Sequence, residues 1–142
     1  MHHTIYYQRS TQQDGEFIVL KHVTFWVLSL LSISAFSSNV SNISQQELLE
    51  ANSNNVVIVD VRTPEEFQQG HVPNAINVPL SNIIDNPNIL ASSKEGPIVL
   101  YCRSGYRAGK AAEALQKYGY SNLRHLEGDM QGWLKVGLPV AK

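Results

Sequence analysis

The sequence predicts an α/β domain, a parallel central sheet flanked by helices on both faces. Three observations lead there. Residues 56–59 (Val-Val-Ile-Val) and 98–101 (Ile-Val-Leu-Tyr) are continuous apolar runs, the pattern of strands buried on both sides. Helix-start signals follow the first run and helix-stop signals precede the second. Strand-like and helix-like segments also alternate along the chain, and each parallel connection needs such a crossover.

Taken in order, Ser44-Gln45-Gln46-Glu47 has capping-box spacing ahead of Leu48 and Leu49, so a helix begins there and breaks at 52–55. The strand at 56–59 ends at Asp60. Thr63 as cap, Pro64 at the first helical position and Glu66 at the third start a short second helix, which Gly70 closes. Residues 75–78 form a short strand stopped by Pro79, and 81–84 a helical turn ended by Asn86-Pro87. After the strand at 98–101, Ala108, Ala111, Ala112 and Leu115 fall on one helical face, and Gly119 ends that helix. A last strand is expected at 123–126 and a last helix at 130–136. The Ser/Asn-rich residues 37–44 read as a polar lead-in without structure.

The 142 residues suit one domain, and 43% apolar against 16% charged residues supports a packed core. A formal net charge of -1 gives no broad field for nucleic acid, so none is expected as a partner. The single cysteine excludes an internal disulfide and any multi-cysteine metal site, and no two histidines have metal-ligand spacing on one helix. Residues 23–36 (VTFWVLSLLSISAF) are too short for a comfortable bilayer span, which needs about 20 apolar residues. Lys21 and His22 precede that run, and Ala35 and Ser37 supply small residues behind it. Residues 1–37 therefore read as an export signal region, with 38–142 as the domain, a periplasmic or exported product and no stable membrane span after cleavage. Arg9, Asp14 and Glu16 do not suit an export leader; a translation start near Leu20, leaving residues 1–19 untranslated, suits one better. A peptide from residues 1–19 in the intact precursor would contradict that start.

Chemistry is expected beyond the carboxyl ends of the strands, where loops open toward helix N-termini. Cys102 sits there, between a buried strand and a helix that begins near Tyr106 or Arg107. Residues 102–107 read Cys-Arg-Ser-Gly-Tyr-Arg. Gly105 lets the loop curl so that backbone N–H groups point at one spot. Those donors, the positive end of the helix, Arg103 and Arg107 favour an anion and the thiolate of Cys102.

Three ordered motifs make residues 43–140 resemble the rhodanese-like domain family. The first joins Val59-Asp60-Val61-Arg62, Glu65-Glu66-Phe67 and the run from Gly70-His71-Val72-Pro73 to Pro79. The second is the loop 102–107. The third is Gly128 followed by Trp133. The size and export signal look most like the family's periplasmic single-domain sulfurtransferases. That resemblance implies sulfur transfer through a persulfide on Cys102, without cofactor or metal, with residues Arg103, Ser104, Gly105, Tyr106 and Arg107 binding a small anionic donor such as thiosulfate. A thiol or cyanide is the acceptor. Four residues separate Cys102 from Arg107, as in sulfurtransferases, whereas relatives acting on phosphate or arsenate have five. The chain departs from the family at Gly128-Asp129, where a Gly-Gly pair is frequent. Asp tolerates positive φ, so the turn is expected to survive and the added carboxylate to alter a neighbouring surface.

Asp60 and Arg62 lie at a strand's carboxyl end and are possible site-lining residues, though pairing that fixes loops is the preferred reading. His71 reads as a hydrogen-bonded loop residue, His125 as a strand residue without a catalytic role, and Trp133 as a core anchor. The alternative to catalysis is a docking or redox-sensing module of the same fold.

Overall fold

The computed structural model describes residues 40–51 and 55–142. The export-signal reading of 1–37 and most of the helix break at 52–55 lie outside these residues. Five strands form one parallel sheet: β1 (Ser41–Ile43), β2 (Val57–Asp60), β3 (Ile76–Asn77), β4 (Ile98–Tyr101) and β5 (Leu123–Leu126), in the spatial order β1-β5-β4-β2-β3. Between them run α1 (Gln45–Glu50), α2 (Pro64–Gln69), α3 (Leu80–Asp85), a 3₁₀ segment (Pro87–Ser93) and α4 (Tyr106–Lys117); α5 (Asp129–Lys135) follows β5.

The central strand β4 shows why the sheet needs cover on both sides. All four of its residues are fully buried, and they alternate between two cores. Ile98 and Leu100 pack with Ile83, Leu90, Ala108, Ala111 and Leu115 beneath α3, the 3₁₀ segment and α4. Val99 and Tyr101 pack on the other face with Leu48, Met130 and Trp133 from α1 and α5. Cys102 continues the first of these alternations and belongs to the α4-side core. Cys102 thus follows directly on the most deeply buried strand, whose position is set by packing on both faces.

The helix caps are local sequence chemistry. Thr63 Oγ1 accepts the N–H of Glu66, and the Glu66 carboxylate accepts the N–H of Thr63, closing a reciprocal box over α2. Thr63→Ala is expected to cost about 1 kcal/mol of stability, read as a lower urea midpoint at an unchanged slope. At α1 only half of the predicted box forms. Ser44 accepts the N–H of Glu47, but the Glu47 carboxylate turns away to Arg124, at 2.7 Å.

Residues 37–44 are not wholly the unstructured lead-in expected of them. Ser41–Ile43 pairs in parallel with β5, and Ile43 is buried. A three-residue edge strand with one inward side chain carries too little periodicity to be read from sequence; the exposed edge of β5 recruits it. The 3₁₀ segment was also not anticipated. It is fixed by tertiary contacts, burial of Leu90 and a hydrogen bond from the Tyr120 hydroxyl to the Pro87 carbonyl. Beyond α5 the tail is strapped down. Trp133 Nε1 donates to the Pro139 carbonyl at 2.8 Å, and His71 and Ala141 exchange two backbone hydrogen bonds of 3.0 Å.

Candidate active site

Cys102 is the first residue past β4, and its backbone is gripped by the start of α5. Its N–H donates to Asp129 Oδ1 at 2.8 Å, and its carbonyl accepts the N–H of Met130 at 3.0 Å. The Arg103 carbonyl accepts the N–H of Gln131 at 3.1 Å. The chain then curls. Gly105 has φ of 101°, a conformation L side chains rarely adopt, and its N–H lies 3.1 Å from Cys102 Sγ. The Gly105 carbonyl accepts the N–H of Gly109 and so begins the first turn of α4. The sulfur therefore faces a backbone donor at the N-terminal end of a twelve-residue helix, an arrangement that stabilises negative charge on or next to it.

Arg107, one residue into that helix, is held from across the site. Its Nη1 and Nη2 donate to the two oxygens of Glu66 at 2.6 and 2.9 Å, a bidentate pair about 70% shielded on each side. The Arg107 pKa is raised, first by the hydrogen bond to Glu66 and, after an opposing effect of burial, by the charges of Glu66 and Cys102. The Glu66 carboxyl is held down at about 2, chiefly by the Arg107 guanidinium. Because that carboxyl ionises more readily folded than unfolded, the pair stabilises the fold above the ordinary carboxyl value of 4.5. The contribution is lost as pH falls from there toward about 2. Glu66→Gln is therefore expected to be less stable than the parent at neutral pH, with the gap in urea midpoint closing on acidification. A gap independent of pH would mean that the ion pair is not its source.

The loop residues divide by exposure. Arg103, Ser104 and Tyr106 stand outward, Tyr106 with 75% of its surface exposed, while Gly105 and Arg107 are half-buried beside Cys102. Asp60 and Arg62 form a buried pair. Arg62 Nη2 lies 2.6 Å from Asp60 Oδ2 and also donates to the Gly70 carbonyl at 2.8 Å, tying the end of β2 to the end of α2. The Arg62 guanidinium lies over the Tyr101 ring, whose hydroxyl accepts the N–H of Val72. His71 stacks on Phe67 at 3.7 Å, with Nδ1 3.0 Å from the Phe67 carbonyl.

Two features escaped the sequence. Glu66 was legible only as a helix cap; its second task, holding Arg107, joins residues 41 positions apart. Asp129 does keep a positive φ, at 54°, but its carboxylate does not reach a surface. It is buried and turned inward onto the Cys102 N–H, because the first turn of α5 lies directly against the loop. His125 Nε2 sits 3.1 Å from Asp129 Oδ2, and the hydrogen bond with that carboxylate raises the His125 pKa above 6.5.

Among the described residues no group of three His, Cys, Asp or Glu side chains is arranged to hold a metal ion, and no helix is long and apolar enough to cross a membrane.

A family model described as the rhodanese-like domain matches residues 44–136. The chain is 33% identical over 103 residues to a sulfurtransferase of Allochromatium vinosum, covering 71% of this chain and 94% of that one. It is 36% identical over 70 residues to the thiosulfate sulfurtransferase PspE of Escherichia coli, covering 49% and 67%. The crystal structure of a rhodanese-related protein from Thermoplasma volcanium superposes with a TM-score of 0.63 at 32% identity, covering 71% of this chain and 97% of that one. Relatives also include longer proteins: the chain spans 48% of uncharacterized protein slr1261 of Synechocystis, to which it is 40% identical over 87 residues.

Proposed function

The chain belongs to the rhodanese-like domain family, and from that premise we propose that it moves sulfane sulfur from thiosulfate or a similar anionic donor to a thiol or cyanide acceptor through a persulfide on Cys102. The observation that carries this reading is the Gly105 N–H aimed at Cys102 Sγ at 3.1 Å, at the mouth of α4. A docking module has no need of a donor pointed at a cysteine sulfur. The relatives named sulfurtransferase support the same chemistry.

The reaction divides into two displacements. Cys102, as thiolate, attacks the outer sulfur of thiosulfate; a new S–S bond forms on Sγ while the donor's S–S bond breaks, and sulfite leaves with the electron pair. The thiol proton goes to solvent. The acceptor then attacks the outer sulfur of the persulfide, and the Cys102 thiolate is released as leaving group. Between the two steps the loop N–H groups hold the sulfur, and the α4 end and Arg107 balance the anionic charge that enters and departs. The route uses no metal and no organic cofactor.

Thiocyanate formation from thiosulfate and cyanide tests the reading. Turnover supports it; a folded protein without turnover, and without sulfur transfer to thiols, brings the docking or redox-sensing alternative forward. We further propose that residues 1–37 direct export and are removed, so that the mature protein begins after Ser37 and acts in the periplasm. Intact mass of the protein recovered from a periplasmic fraction checks this; a full-length species confined to the cytoplasm would contradict it.

A further inference from the structure

Asp129 puts a negative charge in an awkward place. Its side chain is 5% exposed, its Oδ1 accepts the Cys102 N–H at 2.8 Å, and its Oδ2 lies 3.2 Å from where a Cβ on Gly105 would stand. A carboxylate is thus built against the loop that, on the sulfurtransferase reading, must admit an anion and store sulfur. Both its oxygens lie within 3.2 Å of His125 Nε2, and the His125 side chain is 30% exposed, open to proton exchange with solvent.

The surrounding charges are committed elsewhere. On α4, Glu113 lines the groove beside His125 but is paired with Lys110 at 3.0 Å. On β5, Arg124 is turned to Glu47 and to the Asn42 carbonyl. On the loop, Arg107 is tied to Glu66 and Arg103 is exposed. From β1 the groove receives the neutral Asn42.

We propose that Asp129 and His125 are a titratable positioning pair for sulfur loading: the carboxylate fixes the Cys102 backbone, and protonated His125 cancels its charge so that the anionic donor can approach. This rests on the sulfurtransferase reading and adds to it a pH control. The Asp129 carboxylate raises the His125 pKa, so the pair is neutral below that raised value and carries a net charge of −1 above it. At a given fraction of Cys102 thiolate, loading from an anionic donor falls as pH rises through it.

The test is the second-order rate of persulfide formation from thiosulfate, followed by intact mass across pH, for the full chain and three variants. In the parent the rate, divided by the thiolate fraction read from ultraviolet absorbance, has a descending limb above pH 6.5. His125→Gln keeps a donor for Asp129 but does not titrate; its rate loses that limb and stays about threefold or more below the parent's low-pH level, the effect of one uncompensated charge at a half-exposed site. Asp129→Asn still offers an oxygen to the Cys102 N–H; its limb moves down toward pH 6.5 and its rate above the limb rises. Asp129→Gly, the glycine frequent in the family, shares the downward move of the limb but gives up the oxygen that accepts the Cys102 N–H, so its rate is expected below that of the Asn variant at every pH; it covers the case in which Asn disturbs the turn. In parallel, the His125 ring-proton titration by NMR is expected to drop in midpoint in the Asp129 variants. Identical pH profiles in folded parent and variants, or an unmoved His125 midpoint, overturn the inference while leaving sulfur transfer intact. A parent that forms no persulfide at any pH overturns the functional reading and the inference with it.

Discussion

Cys102→Ser is expected to abolish sulfur transfer, lowering thiocyanate formation to the uncatalysed background, a loss of about 10³-fold or more. The substitution changes one atom, and both backbone clamps on residue 102, to Asp129 and Met130, survive it. What disappears is the nucleophile. A serine hydroxyl is barely ionised near neutral pH and cannot displace sulfite from sulfur at a useful rate. Position 102 is also in the α4-side core at 1% exposure, so the hydroxyl carries a stability cost of ~1–2 kcal/mol. Circular dichroism and a urea midpoint beside the activity assay separate the two effects. A folded serine variant with substantial turnover would remove Cys102 from the mechanism.

The second large effect is expected at Gly105. Gly105→Ala places a Cβ 3.2 Å from Asp129 Oδ2 and 3.3 Å from His125 Cε1, at a φ of 101°. Neither neighbour is free to yield, since each holds the other and Asp129 holds the Cys102 N–H. The loop must therefore open, and the N–H that points at Sγ swings away. Strain of this kind costs about 1–3 kcal/mol of stability. Loss of one preorganised donor to a charged centre lowers the rate by about 10²-fold. The expected signature is a fall in kcat larger than any rise in KM, because the donor acts on the sulfur as charge moves rather than on resting substrate. Wild-type kinetics in a folded Gly105→Ala protein would show that the N–H at 3.1 Å is incidental.

These expectations rest on parts of the molecule that differed in how readable they were. Elements specified by their own residues were legible. Thr63, Pro64 and Glu66 announce α2, the apolar run at 98–101 announces a doubly covered strand, and the alanines of α4 mark its buried face. The loop at 102–107 was legible too, because its chemistry is written in consecutive residues: a cysteine, a glycine able to curl and an arginine on the following helix. Parts specified by distant partners were not. The strand at Ser41–Ile43 exists because β5 offers it an edge. Glu66 reaches Arg107 because the two helices that carry them begin just beyond the ends of the neighbouring strands β2 and β4. Asp129 showed its tolerance of positive φ, but its inward direction depends on α5 lying against the loop, which no local pattern records. The same packing turned His125 from a plain strand residue into the partner of a buried carboxylate.

The two histidine readings show how proximity divides similar residues. His71 lies in the Gly-His-Val-Pro turn and His125 in a short apolar strand. The His71 ring has the Phe67 ring to stack on and the Phe67 carbonyl to bond, and both of these side-chain contacts are to α2. His125 faces Asp129, which holds the Cys102 N–H.

The most direct measurement is the intact mass of the folded protein after incubation with thiosulfate and removal of excess donor. The parent is predicted to gain one sulfur atom, about 32 Da, removable by cyanide or a thiol, with no gain in Cys102→Ser. A parent that remains at its original mass, or an equal gain in the serine variant, would contradict sulfur transfer through Cys102.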